Sequence, residues 1–203
     1  MRFIIITCLF LFFHSILFSH PVTFKNGIAT SIVSGMATDA YINYSVSSKS
    51  SYGLRSHQLS DQINAHFYFI QKNTLLKRWH FFDAQANFYL ISALAYESHD
   101  SQISPCSRFL FDYENRIFYS SIQAEFMMPG NDRYARYRSR LGIAPYKHDY
   151  TSVSTWFMIQ FEHISYDSNH TQWMPIYRGF YKRFLWEFGY NGNESFFQFM
   201  VHI

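Results

Sequence analysis

Polar and apolar side chains alternate with a period of two in several separate stretches of this chain. In residues 134–146, Arg136, Arg138 and Arg140 occupy every second position, and mostly apolar residues lie between them. Successive side chains of a β-strand point to opposite faces, so a strand here carries three guanidinium groups on one face. Similar alternation occurs in residues 63–70, 82–90, 155–162 and 196–203. The pattern predicts an all-β fold.

Strand-like stretches separated by turn-forming residues continue along the rest of the chain. The twelve candidates are 27–36, 40–47, 52–60, 62–70, 80–96, 108–113, 116–126, 134–146, 152–166, 171–181, 184–190 and 195–203. Regularly spaced strands of this kind are typical of sandwiches and barrels. We predict one closed antiparallel β-barrel of ten or twelve short strands, with eight longer strands as the alternative.

The first nineteen residues differ from the rest. They contain one charged residue, Arg2, followed by a long apolar run, which is typical of a signal peptide and short for a membrane-spanning helix. Leu17 and Ser19 suit a signal-peptidase site, so we predict a signal peptide at 1–19 and a single domain at 20–203 that begins with His20. An uncleaved anchor is the alternative.

Composition indicates where such a barrel resides. Charged residues make up only 15% of the chain and aromatic residues 21%, and a soluble exported domain needs a more charged surface. Aromatic enrichment without a long apolar run after residue 19 fits a transmembrane β-barrel. Without Arg2, the mature chain has 16 basic and 14 acidic residues, a net charge of +2, so nucleic acid is not an expected partner. We also expect no cofactor.

The lysines favour a barrel with its apolar face outward. A soluble periplasmic barrel that binds lipid or metal would alternate in the same way, but with its charges outward. Mid-strand polar positions here are mostly Arg, Asn, Gln, Asp, Glu and Tyr, which suit a narrow polar lumen. The lysines are predicted to lie in turns or near strand ends, at Lys25, Lys49, Lys72, Lys77, Lys147 and Lys182.

The chain ends where its last strand should end, with apolar residues at Phe197, Phe199, Val201 and Ile203. This resembles the C-terminal assembly signal of bacterial outer-membrane barrels, although their usual last residue is Phe or Trp. The length is similar to that of the OmpA-like and OmpX-like barrels. The resemblance implies a place in the outer membrane of a Gram-negative bacterium, contact with its lipid and lipopolysaccharide, and recognition by the barrel-assembly machinery.

Three shorter stretches resemble exported proteobacterial proteins of uncharacterised function. They are "HPVTF" at 20–24, "DAQANFYL" at 83–90 and "GIAPYKHDY" at 142–150. This likeness implies export and no particular activity. In a barrel of the predicted kind, both termini face the periplasm, and the loops at 97–107 and 127–133 lie on the outer side.

The three arginines in residues 134–146 need partners, because unpaired buried charges are costly. Candidate partners on polar faces are Asp83, Glu125, Glu162 and Glu187. The favoured interpretation is an ion-pair ladder that fills a narrow lumen, in a protein with a structural or interaction role. The alternative is a narrow solute conduit, in which the arginines select anions or carboxylate-bearing solutes.

His163 and Ser165 form an H-x-S pair on the apolar side of a predicted strand. The pair resembles that of the outer-membrane lipid A deacylases, which implies an alternative function as a lipid-modifying enzyme. A triad also needs an acid to orient the histidine. The following strand contains none in residues 173–180, so we expect no catalysis.

His20 is the one candidate metal ligand. After cleavage, its α-amine and imidazole could chelate copper at one position. A further histidine would be needed, and His66 or His202 could supply it only if the N-terminus folds into the lumen. The favoured interpretation is a loose chain end, so we expect no bound metal.

Overall fold

The computed structural model describes residues 20–59, 66–98, 101–129, 133–147, 152–166 and 168–203. The described chain forms twelve β-strands. Their bounds are β1 Ile28–Ser34, β2 Ala37–Ser47, β3 Ser50–Leu59, β4 His66–His80, β5 Ala84–Glu97, β6 Gln102–Asn115, β7 Phe118–Met127, β8 Tyr134–Ile143, β9 Ser154–Tyr166, β10 Ser168–Tyr181, β11 Phe184–Tyr190 and β12 Ser195–His202.

The strands close into one antiparallel barrel in which each strand pairs with its neighbours in the sequence. β1 completes the ring by pairing with β12, from Ala29 opposite His202 to Ser34 opposite Phe197. The predicted closed antiparallel barrel is confirmed, and the strand number is twelve rather than eight. OmpA-type and OmpX-type barrels have about eight strands, so the similarity in length does not extend to strand number.

Two strands are longer than their sequence pattern predicts. β6 includes residues 102–107, which contain Pro105 and were expected to be a turn. β4 runs through a register shift between Leu75 and Lys77, where the alternation of side chains is interrupted. The predicted signal peptide at 1–19 and the start of the predicted strand 62–70 lie outside the described residues.

The polarity of the barrel is inverted relative to a soluble protein. Large apolar side chains cover its outer surface, and Leu54, Ile70 and Ile122 are 59%, 70% and 63% exposed. Polar side chains fill its interior, where Glu125 and Glu187 are fully buried. Charged residues are almost never fully buried unless they are paired, so the interior requires a network of partners. In the described residues, no helix is long and apolar enough to span a membrane.

The prediction that lysines lie in turns or near strand ends is wrong for Lys72, which lies in the middle of β4, whereas Lys77 lies three residues before the end of that strand. Their side chains are on the exposed surface, and each ammonium group lies over an aromatic ring, 5.9 Å from its centre: Lys72 over Tyr52 and Lys77 over Trp79. A long aliphatic stem beside an aromatic ring can keep a lysine on an apolar face. The assignment of the two faces therefore depends on the exposed apolar residues and the buried charges.

The start of β1 and the C-terminus lie at one end of the barrel. Ile28 N donates to Ile203 O at 2.6 Å, and Ile203 N donates to Ile28 O at 2.8 Å. From β1, the N-terminal segment turns back into the lumen, where Val22 packs with Leu75, Tyr89 and Ile91. We call residues 20–24 the N-terminal plug. The connections between β5 and β6 and between β7 and β8 lie at the opposite end.

Candidate functional site

The centre of the lumen is occupied by arginine and carboxylate side chains from facing walls. Arg136 on β8 donates from Nε to Glu162 Oε1 at 2.6 Å and from Nη1 to Asp39 Oδ2 at 2.7 Å. Glu162 is on the neighbouring strand β9, whereas Asp39 is on β2, six strands away in either direction around a ring of twelve. The Arg136–Asp39 ion pair therefore joins opposite walls of the barrel.

A second arginine extends the network across the lumen. Arg55 on β3 donates from Nε to Asp39 Oδ1 at 2.8 Å and from Nη1 to Glu125 Oε1 on β7. His57 completes the shell around Asp39, with its Nδ1 2.9 Å from Asp39 Oδ1, and its Nε2 lies 3.2 Å from the Tyr134 hydroxyl. Asp39 is thus held by two guanidinium groups and one imidazole.

The remaining two arginines of β8 contact residues on the adjacent strand β9 and on β11. Arg138 donates from Nη2 to Glu162 Oε1 at 2.8 Å. Arg140 donates from Nε to Gln160 Oε1 at 2.7 Å, and its Nη1 lies 3.1 Å from Glu187 Oε2. Glu187 on β11 also accepts from Arg178 Nε at 2.6 Å. We call this set the lumen network: Asp39, Arg55, His57, Glu125, Arg136, Arg138, Arg140, Gln160, Glu162, Arg178 and Glu187.

Six of the seven residues predicted for the lumen lie in this network. Glu125 joins it through Arg55 rather than through the β8 arginines. The prediction for Asp83 is wrong, because β5 begins one residue later, at Ala84. Asp83 therefore lies in the exposed turn after β4, and its Oδ1 is 3.8 Å from Arg116 Nε.

Sequence reasoning missed five members of the network: Asp39, Arg55, His57, Gln160 and Arg178. The alternation that marks the β8 arginines was also present around these residues. Asp39 and Asn43 share a face of β2, and Arg55 and His57 share a face of β3. What the sequence could not supply is the pairing between strands six positions apart in the ring, which depends on closure of the barrel.

His163 and Ser165 lie on the outer face of β9, as their spacing predicts. His163 Nδ1 is 2.7 Å from Thr171 Oγ1, and the imidazole stacks on Tyr137 with ring centres 6.3 Å apart. Among the described residues, no aspartate or glutamate contacts this imidazole through a hydrogen bond or ion pair. In the described residues, His163 therefore has no acid to orient it as the base that would activate Ser165.

The residues of the predicted assembly signal lie along the outer face of β12. Phe197 and Phe199 are exposed and pack against Phe188 and Phe184 of β11, with ring centres 5.3 and 6.2 Å apart. Val201 is half-buried and Ile203 is exposed. The apolar stripe is continuous at the strand that closes the barrel.

His20 lies inside the barrel, in the N-terminal plug, and is only 8% exposed. Its Nδ1 is 3.5 Å from Asp112 Oδ2, and its Nε2 is 3.8 Å from Glu114 Oε1. Both acidic residues project inward from β6. The inward fold of the N-terminus that a metal site at His20 would require is therefore present.

These features define the described chain as a closed, twelve-stranded antiparallel β-barrel with charged side chains in its interior and an apolar outer surface. No protein-family model matches the chain, and no curated protein sequence matches it. Among solved structures, it is similar to OccK8 (OprE) of Pseudomonas aeruginosa, with 10% sequence identity and a TM-score of 0.44. The match covers 85% of this chain and 61% of that one, so this chain spans less than two thirds of that protein.

Proposed function

We propose that this protein is an outer-membrane β-barrel with a closed lumen and a structural or interaction role. Its apolar outer surface supports a membrane setting, because exposed residues such as Leu54 and Ile122 would be unfavourable in water. Only helices and closed barrels satisfy all backbone groups within a bilayer, and this barrel is closed. Outer-membrane lipid and lipopolysaccharide are then the partners of its outer surface. The stripe on β12 is the proposed signal for the barrel-assembly machinery.

The observation that carries the closed lumen is the ion pair between Arg136 and Asp39. A contact of 2.7 Å between opposite walls bridges the lumen at that level, which supports a closed interior. Both residues are buried, at 1% and 7% exposure, so water does not surround the pair. Barrels of eight strands are filled by side chains, and open channels occur at about 16 strands or more. Twelve strands lie between these sizes, and long arginine side chains here span the extra width.

Further packing supports closure on both sides of the network. Toward the end away from the termini, an aromatic cluster fills the interior with Phe67, Phe69, Tyr134 and Tyr166. At the terminal end, the N-terminal plug enters the lumen and Ser51 Oγ donates to Pro21 O at 2.7 Å. A solute would have to displace these groups as well as the ion pairs.

A narrow anion conduit is the second candidate. In the described chain, the lumen network alone contains five arginines and four carboxylates, which leaves one positive charge at its level of the lumen (5 − 4 = +1) if His57 is neutral. Asp112 and Glu114 lie closer to the N-terminal plug and are not counted in it. A surplus of fixed positive charge favours anions in a pore. This candidate requires the network to rearrange and open, whereas the closed-lumen proposal requires no movement.

Two measurements on one preparation test the proposal. Outer membranes are fractionated, and the protein is compared on gels with and without boiling; we expect it in this fraction, with a mobility that shifts on boiling. The purified protein is then added to planar lipid bilayers, where we expect no conductance above background. Recovery in the soluble periplasmic fraction without a shift would contradict the membrane location. Stable, anion-selective conductance would establish the conduit instead.

A further inference from the structure

The lumen contains a second cluster of ionisable groups, separate from the lumen network and next to the N-terminal plug. One ligand atom from each of His20, Asp112 and Glu114 can be chosen so that all three atoms lie within 4.8 Å of one another. All three residues are buried, at 8%, 3% and 6% exposure. We call them the plug cluster. It joins the N-terminal segment to β6.

The charge of the plug cluster is not balanced by direct contacts with arginine or lysine. Among the described residues, no guanidinium or ammonium group forms an ion pair with Asp112 or Glu114. Arg78 contacts Asn87 instead, donating from Nε to its Oδ1 at 2.7 Å. Asn87 Nδ2 in turn donates to Asp112 Oδ1 at 2.7 Å and lies 3.3 Å from His20 Nε2. Two carboxylates in a buried site therefore have an imidazole as their only direct cationic partner in the described chain.

Two buried side chains at this end of the lumen, Glu114 of the plug cluster and His202 on β12, have atoms without a hydrogen-bond partner in the described chain. Glu114 Oε1 is buried and has no hydrogen-bond partner in the described chain, although it faces the His20 imidazole. His202 on β12 is 2% exposed, and both of its ring nitrogens lack a hydrogen-bond partner in that same part of the chain. Buried polar groups without partners are rare, and these are atoms that ligate metals.

We propose that His20, Asp112 and Glu114 bind a divalent transition-metal ion. Imidazole and carboxylate donors together suit borderline ions such as Zn²⁺ and Cu²⁺. The ion would offset the two buried carboxylates and use the free oxygen of Glu114. Asn87 would orient Asp112 and His20, as groups that hydrogen-bond a metal ligand commonly do. Metal binding would also hold the N-terminal plug inside the barrel.

Cleavage after Ser19, which the sequence predicts, would strengthen the same site. It would place a free α-amine on His20, beside the imidazole that already lies in the cluster. Two nitrogen donors on one residue would then be available to the ion, together with two carboxylates from β6. The proposal does not depend on this amine, because the side chains of the plug cluster provide three donors by themselves.

The test is titration of the full chain, purified in detergent and freed of metal, with ZnCl₂ in an isothermal calorimeter. We expect one Zn²⁺ per chain. His20→Ala and Glu114→Gln should each weaken the affinity by about tenfold or more, because even groups that only hydrogen-bond a ligand are worth about 10- to 100-fold. His163→Ala and Asp83→Asn are the matched controls, since they remove a histidine from the outer face of β9 and a carboxylate from the exposed turn after β4, and they should leave the affinity unchanged.

Each variant is first checked for the gel shift on boiling, which reports a folded barrel independently of metal. If His20→Ala does not fold, Glu114→Gln decides the result, because it keeps the shape of the side chain. The absence of Zn²⁺ binding to the unmodified protein would overturn the proposal. Equal affinity in Glu114→Gln and the unmodified protein would overturn it as well, because the ion would then bind elsewhere.

Discussion

Arg136 and Asp39 lie on opposite walls of the barrel, and Arg136 Nη1 is 2.7 Å from Asp39 Oδ2. Each has a further charged partner, Glu162 for Arg136 and Arg55 for Asp39. The pair therefore links β2, β3, β8 and β9 through side chains, in addition to the backbone ladder. Loss of either residue leaves buried charges without their partner, and such losses are far more costly than the loss of an exposed ion pair.

Arg136→Ala should destabilise the barrel by about 3–5 kcal/mol, because it leaves Asp39 and Glu162 buried with fewer positive neighbours. The measurement is the free energy of unfolding in urea, from tryptophan fluorescence of the protein in detergent or lipid vesicles. Arg116→Ala is the control: Arg116 pairs with Asp83 in an exposed turn at 3.8 Å, and loss of such a pair costs about 0–1 kcal/mol. Equal losses for the two variants would show that the lumen network is hydrated and weak.

Asp39→Asn and Arg136→Met should not be additive. Each single change leaves a buried charge with fewer partners, whereas the double variant removes both charges of the pair. Residues in direct contact show interaction energies of about 0.5–3 kcal/mol, and we expect a value within this range. A double-mutant cycle on unfolding free energies measures it. Additivity within experimental error would mean that the two side chains do not interact across the lumen in the folded protein.

Gly53→Ala should destabilise the barrel, because there is no space for a methyl group on the inner face of β3. A Cβ at Gly53 would lie 2.0 Å from Asn43 Oδ1 and 2.4 Å from Ile42 O. It would also disturb the hydrogen bond that Gln71 Nε2 donates to Asn43 Oδ1 at 2.8 Å. Overpacking of this kind costs about 1–3 kcal/mol. The urea midpoint measures the change, and Ser56→Ala on the outer face of the same strand should leave it unaltered.

The sequence predicts which side chains share a face of a strand, because alternation is a local property. Arg136, Arg138 and Arg140 were assigned to the lumen on that basis, and all three contact buried carboxylates or amides. Asp83 was misplaced because the turn at residues 81–83 cannot be separated from β5 by alternation alone. The predicted strand began at residue 80 and β5 begins at Ala84, so this error at the strand boundary put Asp83 in the lumen.

Pairing across the lumen is not a local property. Asp39 and Arg136 are separated by 97 positions in the chain, and they meet because twelve strands close with a particular register. No spacing rule in one sequence links them. The same holds for the plug cluster, where His20 reaches Asp112 and Glu114 because the N-terminal plug turns inward. That turn depends on packing of Val22 against Leu75, Tyr89 and Ile91.

Ser165→Ala should leave the lipid A of the host unchanged in every respect. The His163 imidazole contacts Thr171 and Tyr137 on the outer face, and no carboxylate of the described chain holds it in place. Mass spectrometry of lipid A measures this after overexpression of the unmodified protein and of Ser165→Ala. We expect the same acyl chains in both samples and in cells without the protein. Loss of an acyl chain that disappears in Ser165→Ala would establish catalysis and contradict the structural role.

Leu54→Arg tests whether the outer surface contacts lipid. Leu54 lies mid-strand on β3, is 59% exposed and pairs with Ile42 and Ile70 on its two neighbours, both of which are exposed apolar residues. An arginine on the lipid face of a barrel costs about 2–4 kcal/mol at the bilayer midplane and about 0–1 kcal/mol near the interfaces. Unfolding from lipid vesicles should therefore show a large loss for Leu54→Arg and a small one for Thr38→Arg, which lies at the end of β2. If both variants were as stable as the unmodified protein, the apolar face would be in contact with water or with another protein, and the arginine at position 54 would be solvated there at little cost.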